Sequence, residues 1–153
     1  ISQALPIPAA EALIAATGAQ FQRDDTKAYY HTGSDSIHTP PQESFFEPIN
    51  FYRTALHELT HWSGAKHRLN RDFTGRFGST AYAREELVAE MGSAFLCASL
   101  GIVPTVRHAD YIGNWLEVLK NDSRAIVSAA SHASKASDFL LAFIDTQDAE
   151  KAA

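Results

Sequence analysis

His57-Glu58-Leu59-Thr60-His61 forms an H-E-x-x-H run, and its spacing carries chemistry. Residues four apart share one helix face about a turn apart, so both imidazoles can converge on one zinc ion. Glu58 follows His57 by about 100° of helical rotation. It is near enough to hold a water on that metal and is not placed to ligate it. The metal lowers the water's pKa toward about 7, and the carboxylate takes its proton during attack. The competing reading is two ordinary histidines flanking a helix-favouring glutamate.

A zinc hydrolase needs a third protein ligand and an open fourth position. Glu85-Glu86-Leu87-Val88-Ala89-Glu90 offers carboxylates, with Glu86 and Glu90 again at i and i+4. On a helical wheel Leu87, Val88, Met91, Ala94, Phe95 and Ala98 make the main apolar stripe. Glu86, Glu90, Ser93 and Cys97 make its neighbour, where small side chains let another helix come close. Glu86 is assigned as the metal ligand. Glu90 is assigned to the far nitrogen of His57 or His61, fixing its tautomer, and the reverse assignment stays open. Glu85 is expected to be solvated, pairing with Arg84 or Lys66.

The elements that position these residues follow from pattern. Ala9–Ala16 is a short helix opened by Pro8 and closed at Gly18. Ala28–His31 and Asp35–Thr39 are β-prone, and Thr32-Gly33-Ser34 between them reads as a hairpin turn. Pro40-Pro41 places the second strand at a sheet edge. Phe51, Ala55, Leu56, Leu59 and Trp62 predict a helix over 51–63 that ends at Gly64. Residues 66–78 read as a basic loop. Further helices are predicted over 80–100, over 110–119, and from an Asp122 cap to about Ile144, with a frayed end from Asp148. A small antiparallel sheet or hairpin followed by a helical bundle is an α+β domain.

Composition bounds the rest. The 153 residues are 45% hydrophobic and 20% charged, which suits one domain spanning 1–153 with its own core. No apolar stretch is long enough to cross a membrane. The single cysteine, Cys97, forms no internal disulfide, which favours a reducing, cytoplasmic setting. Thirteen Lys and Arg against eighteen Asp and Glu give a net charge of −5, a poor match to strong nucleic-acid binding by this domain alone. The chain begins at Ile1 without a signal-like segment and reads as the C-terminal part of a longer protein.

His57–Gly64, Arg68-Leu69-Asn70-Arg71 and Tyr82–Glu90 together resemble the zincin-like metallopeptidase domain of the ArdC antirestriction family. That domain is shared with TraC-type plasmid primases and phage polyvalent proteins. Ala28-Tyr29-Tyr30, Asp35-Ser36-Ile37 and Tyr111–Trp115 leading into Leu119–Asp122 extend the resemblance over most of the chain. It implies a gluzincin-type site, with His57, His61 and one Glu on zinc and Glu58 as general base. It also implies a peptide or protein substrate, an N-terminal single-stranded-DNA-binding domain in the longer protein, and a role in plasmid or phage entry into a bacterial host.

A peptidase stabilises the oxyanion of its tetrahedral intermediate, often with Tyr or His. His108 and Tyr111 match family positions of those types and are the candidates, with core packing beside Trp115 the alternative for Tyr111. Ile37–Thr39 is expected to wall the substrate cleft as an edge strand. His67 and the cluster of Lys66, Arg68, Arg71 and Arg76 are expected to be solvated, with contact to nucleic acid or an acidic peptide as the alternative. His132 is expected to be structural or exposed, and Cys97 buried.

Three functions compete. The first is a zinc peptidase using Glu58-assisted attack of water. The second is a non-catalytic zinc module that binds a host defence protein, or DNA through a partner domain. The third is a zinc hydrolase of a non-peptide amide.

Overall fold

A computed structural model describes residues 7–75, 79–103 and 106–152, with the side chains of 106–111 and 146–152 left out. Among these, the elements run α1 (Pro8–Thr17), β1 (Gln20–Gln22), β2 (Tyr29–His31), β3 (Ser36–His38), a 3-10 turn (Gln42–Ser44), α2 (Pro48–Ser63), α3 (Thr80–Ser99), α4 (Val106–Val118) and α5 (Ser123–Ala152). The class is α+β, as the sequence predicts.

α1 starts on Pro8 and stops where Gly18 takes the left-handed conformation at φ 68. β2 and β3 form the expected hairpin, with Tyr30 opposite Ile37. The sheet order is β1-β3-β2, and β1 lies parallel to β3. β3 is therefore the central strand, and the edge position expected from Pro40-Pro41 is corrected. A strand of three residues can end before a proline pair and still be paired on both sides.

α2 begins at Pro48, a turn earlier than the apolar pattern shows, because proline is favoured in a first helical turn. Its buried face of Phe51, Tyr52, Ala55, Leu56, Leu59 and Trp62 enters a core with α1, Ile37 of β3, the end of α3, and Leu140 of α5. α3 is capped by Ser79, whose side chain accepts from the Tyr82 amide at 3.2 Å. Its first half joins Leu119, Ala125, Ala129 and Ala133 in a second cluster. α3 therefore runs through both clusters and packs on α2, α4 and α5.

The wheel is corrected at two positions. Phe95 is 38% exposed and Ala98 is exposed, while Leu96 is buried. A helix with neighbours on several sides is not oriented by its hydropathy alone. α4 begins at Val106, before the predicted start. Asp122 caps α5 as predicted, accepting from the Ala125 amide at 3.0 Å. α5 runs on to Ala152, past the expected frayed end.

Candidate metal centre

The centre lies where α2 crosses α3. Gly92 of α3 lies against Thr60 of α2 so closely that a Cβ there would stand 2.6 Å from Thr60 Cγ2. Ser93 Oγ donates to the Arg53 carbonyl at 2.9 Å. These small residues bring the carboxylates of α3 to the imidazoles of α2.

His57 Nε2 lies 3.1 Å from Glu86 Oε2, and His61 Nε2 lies 3.2 Å from Glu86 Oε1. One carboxylate thus spans both rings, which meet edge-on with centroids 4.9 Å apart. A nitrogen from each histidine and an oxygen of Glu86 all lie within 4.8 Å of one another. Two imidazoles and one carboxylate make the donor set that a divalent metal with a fourth, open position takes. Glu58 is buried beside them, its Oε1 4.0 Å from His57 Nε2.

Each ring's second nitrogen meets another glutamate. His57 Nδ1 comes within 2.7 Å of Glu90 Oε1, bent away from straight hydrogen-bond geometry. His61 Nδ1 lies 2.8 Å from Glu85 Oε2. The expected solvation of Glu85 is thereby corrected: its side chain is only 11% exposed, and Arg71, itself 5% exposed, binds its other oxygen at 2.8 Å. A loop residue had to fold back for that, and nothing in the local sequence announces it.

The charges follow from these contacts. Burial alone would depress His57, but the carboxylates of Glu86 and Glu90 against its two nitrogens outweigh it and push the ring up to about 9. His61 is raised well above its usual value, burial again being outweighed, here by Glu85 and Glu86. Glu86 opposes its own burial through both imidazoles and is held far below the carboxylate range. Glu58 moves the other way, raised chiefly by burial.

Among the described residues, Glu58 and Glu86 line two cavities that open on the centre. One, of about 330 Å³, is walled by Tyr29 and Tyr30 of β2, Phe73 and Tyr82. The other, of about 290 Å³, is bounded by Arg53, His57 and Trp115. The strand against the first cavity is β2, which lies at the sheet edge among the described residues. This corrects Ile37–Thr39 as the wall, since Ile37 and Thr39 are fully buried. Tyr82 lines the same cavity as Glu86 and was not among the residues expected at the site. Its hydroxyl is pushed up to about 12, first by burial and then by the Glu86 charge. Its place four residues before Glu86 on one helix was the available clue.

The remaining candidates separate. The side chains of His108 and Tyr111 lie outside the described residues, as does Arg76. The side chain of His67 is 67% exposed, and His132 is exposed. Arg68 is not a solvated cation: it pairs with Asp35, donates to the Trp62 carbonyl at 2.7 Å and stacks over the Trp62 ring at 3.7 Å. Cys97 is buried, and burial drives its thiol up to about 11. No helix among the described residues is long and apolar enough to cross a membrane.

An H-E-x-x-H helix facing a glutamate-bearing helix is the arrangement of a zincin. Residues 8–132 match the zincin-like metallopeptidase family, and the chain belongs to it. It is 42% identical over 142 residues to the uncharacterized protein y4eC of Sinorhizobium fredii, covering 92% of this chain and 46% of that one. It is 44% identical over 144 residues to the DNA primase TraC of Escherichia coli, covering 93% of this chain and 14% of the primase. Among solved structures, it resembles the Mn(II)-bound antirestriction protein ArdC of plasmid R388, with TM-score 0.79 and 41% identity, covering 92% of this chain and 54% of ArdC. The metal-free form of ArdC aligns with TM-score 0.77. The chain spans about half or less of the length of these relatives.

Proposed function

We propose that this domain is a zinc-dependent peptidase in which His57, His61 and Glu86 hold the metal and Glu58 is the general base. The observation that carries the reading is the single Glu86 carboxylate standing 3.1 and 3.2 Å from the two Nε2 atoms, with Glu58 buried alongside. It favours Glu86 over Glu90 as third ligand, because Glu90 faces the opposite nitrogen of His57.

When bound, zinc supplies a Lewis acid that polarises a carbonyl and acidifies water. The chain supplies the rest. Glu90 and Glu85 hold the Nδ1 positions of the two histidines, leaving each Nε2 to face inward. Glu58, whose affinity for a proton is increased by burial, accepts the proton of the attacking water and delivers it to the leaving amine. The open edge of β2 offers its backbone to an extended peptide, and Tyr29, Tyr30 and Phe73 form an aromatic wall for its side chains. Within a longer protein that carries a single-stranded-DNA-binding domain, the peptidase would act in the bacterial cytoplasm during plasmid or phage entry, against a host protein.

The test pairs zinc content with cleavage. The purified domain should hold about one zinc per chain, and His57→Ala should lose it. A mixed peptide library, read by mass spectrometry, should be cut by the wild type. Glu58→Gln should keep zinc and lose about 10²–10⁴-fold in rate. A zinc-loaded wild type that cuts no peptide would leave the non-catalytic binding module as the function.

A further inference from the structure

We infer that Arg71 is a positioning residue for His61, acting through Glu85, and that Gly64 is the glycine that admits its guanidinium. The inference rests on the metal-site reading above. Arg71 Nε donates to Glu85 Oε1 at 2.8 Å and Nη2 donates to Oε2 at 3.2 Å. Oε2 is also the atom that meets His61 Nδ1 at 2.8 Å. Guanidinium, carboxylate and imidazole therefore form one chain, running from the loop after α2, through α3, back to α2.

The same guanidinium is fixed at its other end. Nη1 donates to Ser63 Oγ at 3.1 Å, and Nη2 reaches the Thr60 carbonyl. The fork thus ties the last turn of α2 to α3 at the level of His61. It fits only because residue 64 lacks a side chain: a Cβ there would stand 2.7 Å from Arg71 Cζ and 2.8 Å from Phe73 Cζ. Gly64 has φ −86, so its need is for space and not for a left-handed backbone.

The arrangement has a chemical purpose. A carboxylate on Nδ1 keeps the proton at that nitrogen and leaves Nε2, on the Glu86 side, as the nitrogen that would hold a metal. A buried carboxylate also needs a countercharge, or it turns away or takes up a proton. Arg71 supplies that charge and, through two parallel N–H bonds, sets the plane in which Glu85 meets the ring. A lysine would bring the charge without the fork. On the His57 side, Arg53 Nη1 stands 3.7 Å from Glu90 Oε1.

The experiment titrates zinc into the purified domain against a chromophoric chelator and records metal-free melting on the same samples. Arg71→Met should weaken zinc about 10–100-fold, as loss of an outer partner of a ligand does. Glu85→Gln should produce a drop of similar size. Adding Arg71→Met to Glu85→Gln should cost little more, because the two act in series. Arg71→Lys should recover only part of the affinity. Should Arg71→Met fail to fold, Gly64→Ala and Arg71→Lys take its place, Gly64→Ala weakening zinc by displacing the guanidinium. Unchanged zinc affinity in Arg71→Met, or a full multiplicative loss in the double variant, overturns the inference alone. A wild type that takes up no more zinc than His57→Ala overturns the metal reading and the inference with it.

Discussion

Glu58 and Glu86 sit within one small site and are pushed in opposite directions. Burial raises Glu58, while two imidazoles hold Glu86 ionised against its burial. Carboxyls separated in this way can divide labour, one moving protons and one holding charge. Substitution should divide the same way. Glu86→Gln should cut zinc affinity by at least tenfold, measured by chelator competition, whereas Glu58→Gln should leave it near wild type. Cys97 belongs to neither role. With its thiol raised to about 11 and buried, it stays protonated through the neutral range. Iodoacetamide should label it slowly in the native protein and rapidly after denaturation, followed by intact-mass spectrometry.

At the scale of elements, the separation of α2 and α3 sets the reach of every donor. Gly92→Ala would drive a Cβ into Thr60. It should destabilise the fold by about 1–3 kcal/mol, as overpacking does, and weaken zinc as well, because it spreads the imidazoles from Glu86. The contrast is Gly113→Ala on the exposed face of α4, where a Cβ meets nothing within 4 Å. That change should stabilise the protein by about 0.5–1 kcal/mol through helix propensity, read as a rise in thermal midpoint with no change in zinc affinity. The elements were legible from sequence wherever their cause was local. The α2 periodicity, the Gly18 and Asp122 caps and the Thr32-Gly33-Ser34 turn each act over a few residues. β1 was missed because Gln20-Phe21-Gln22 has no strand signature of its own and exists by pairing with β3. H-E-x-x-H and the Glu86/Glu90 pair were legible because helical spacing alone puts each pair on one face. The partnership of Glu85 with Arg71 was not, since it depends on how the loop returns.

At the scale of the molecule, α3 threads both apolar clusters and carries the carboxylates along its first half. A metal there would bind only the folded chain and stabilise it by mass action, by about 2.7 kcal/mol when free zinc is a hundredfold above its dissociation constant. Addition of a strong chelator should lower the thermal midpoint of the zinc-loaded protein, and His61→Ala should be indifferent to it.

The outermost residues of the His–Glu–Arg contact network are Arg53 and Glu90, and the other members described above lie between them in the chain, on α2, α3 or the loop that joins them. A chemical apparatus encoded in one short, continuous stretch can be inherited whole. Recombination that joins it to new neighbours cuts through none of its parts. Relatives of very different length, in which this domain occupies about half of one protein and a seventh of another, are what such a transferable cassette would leave behind.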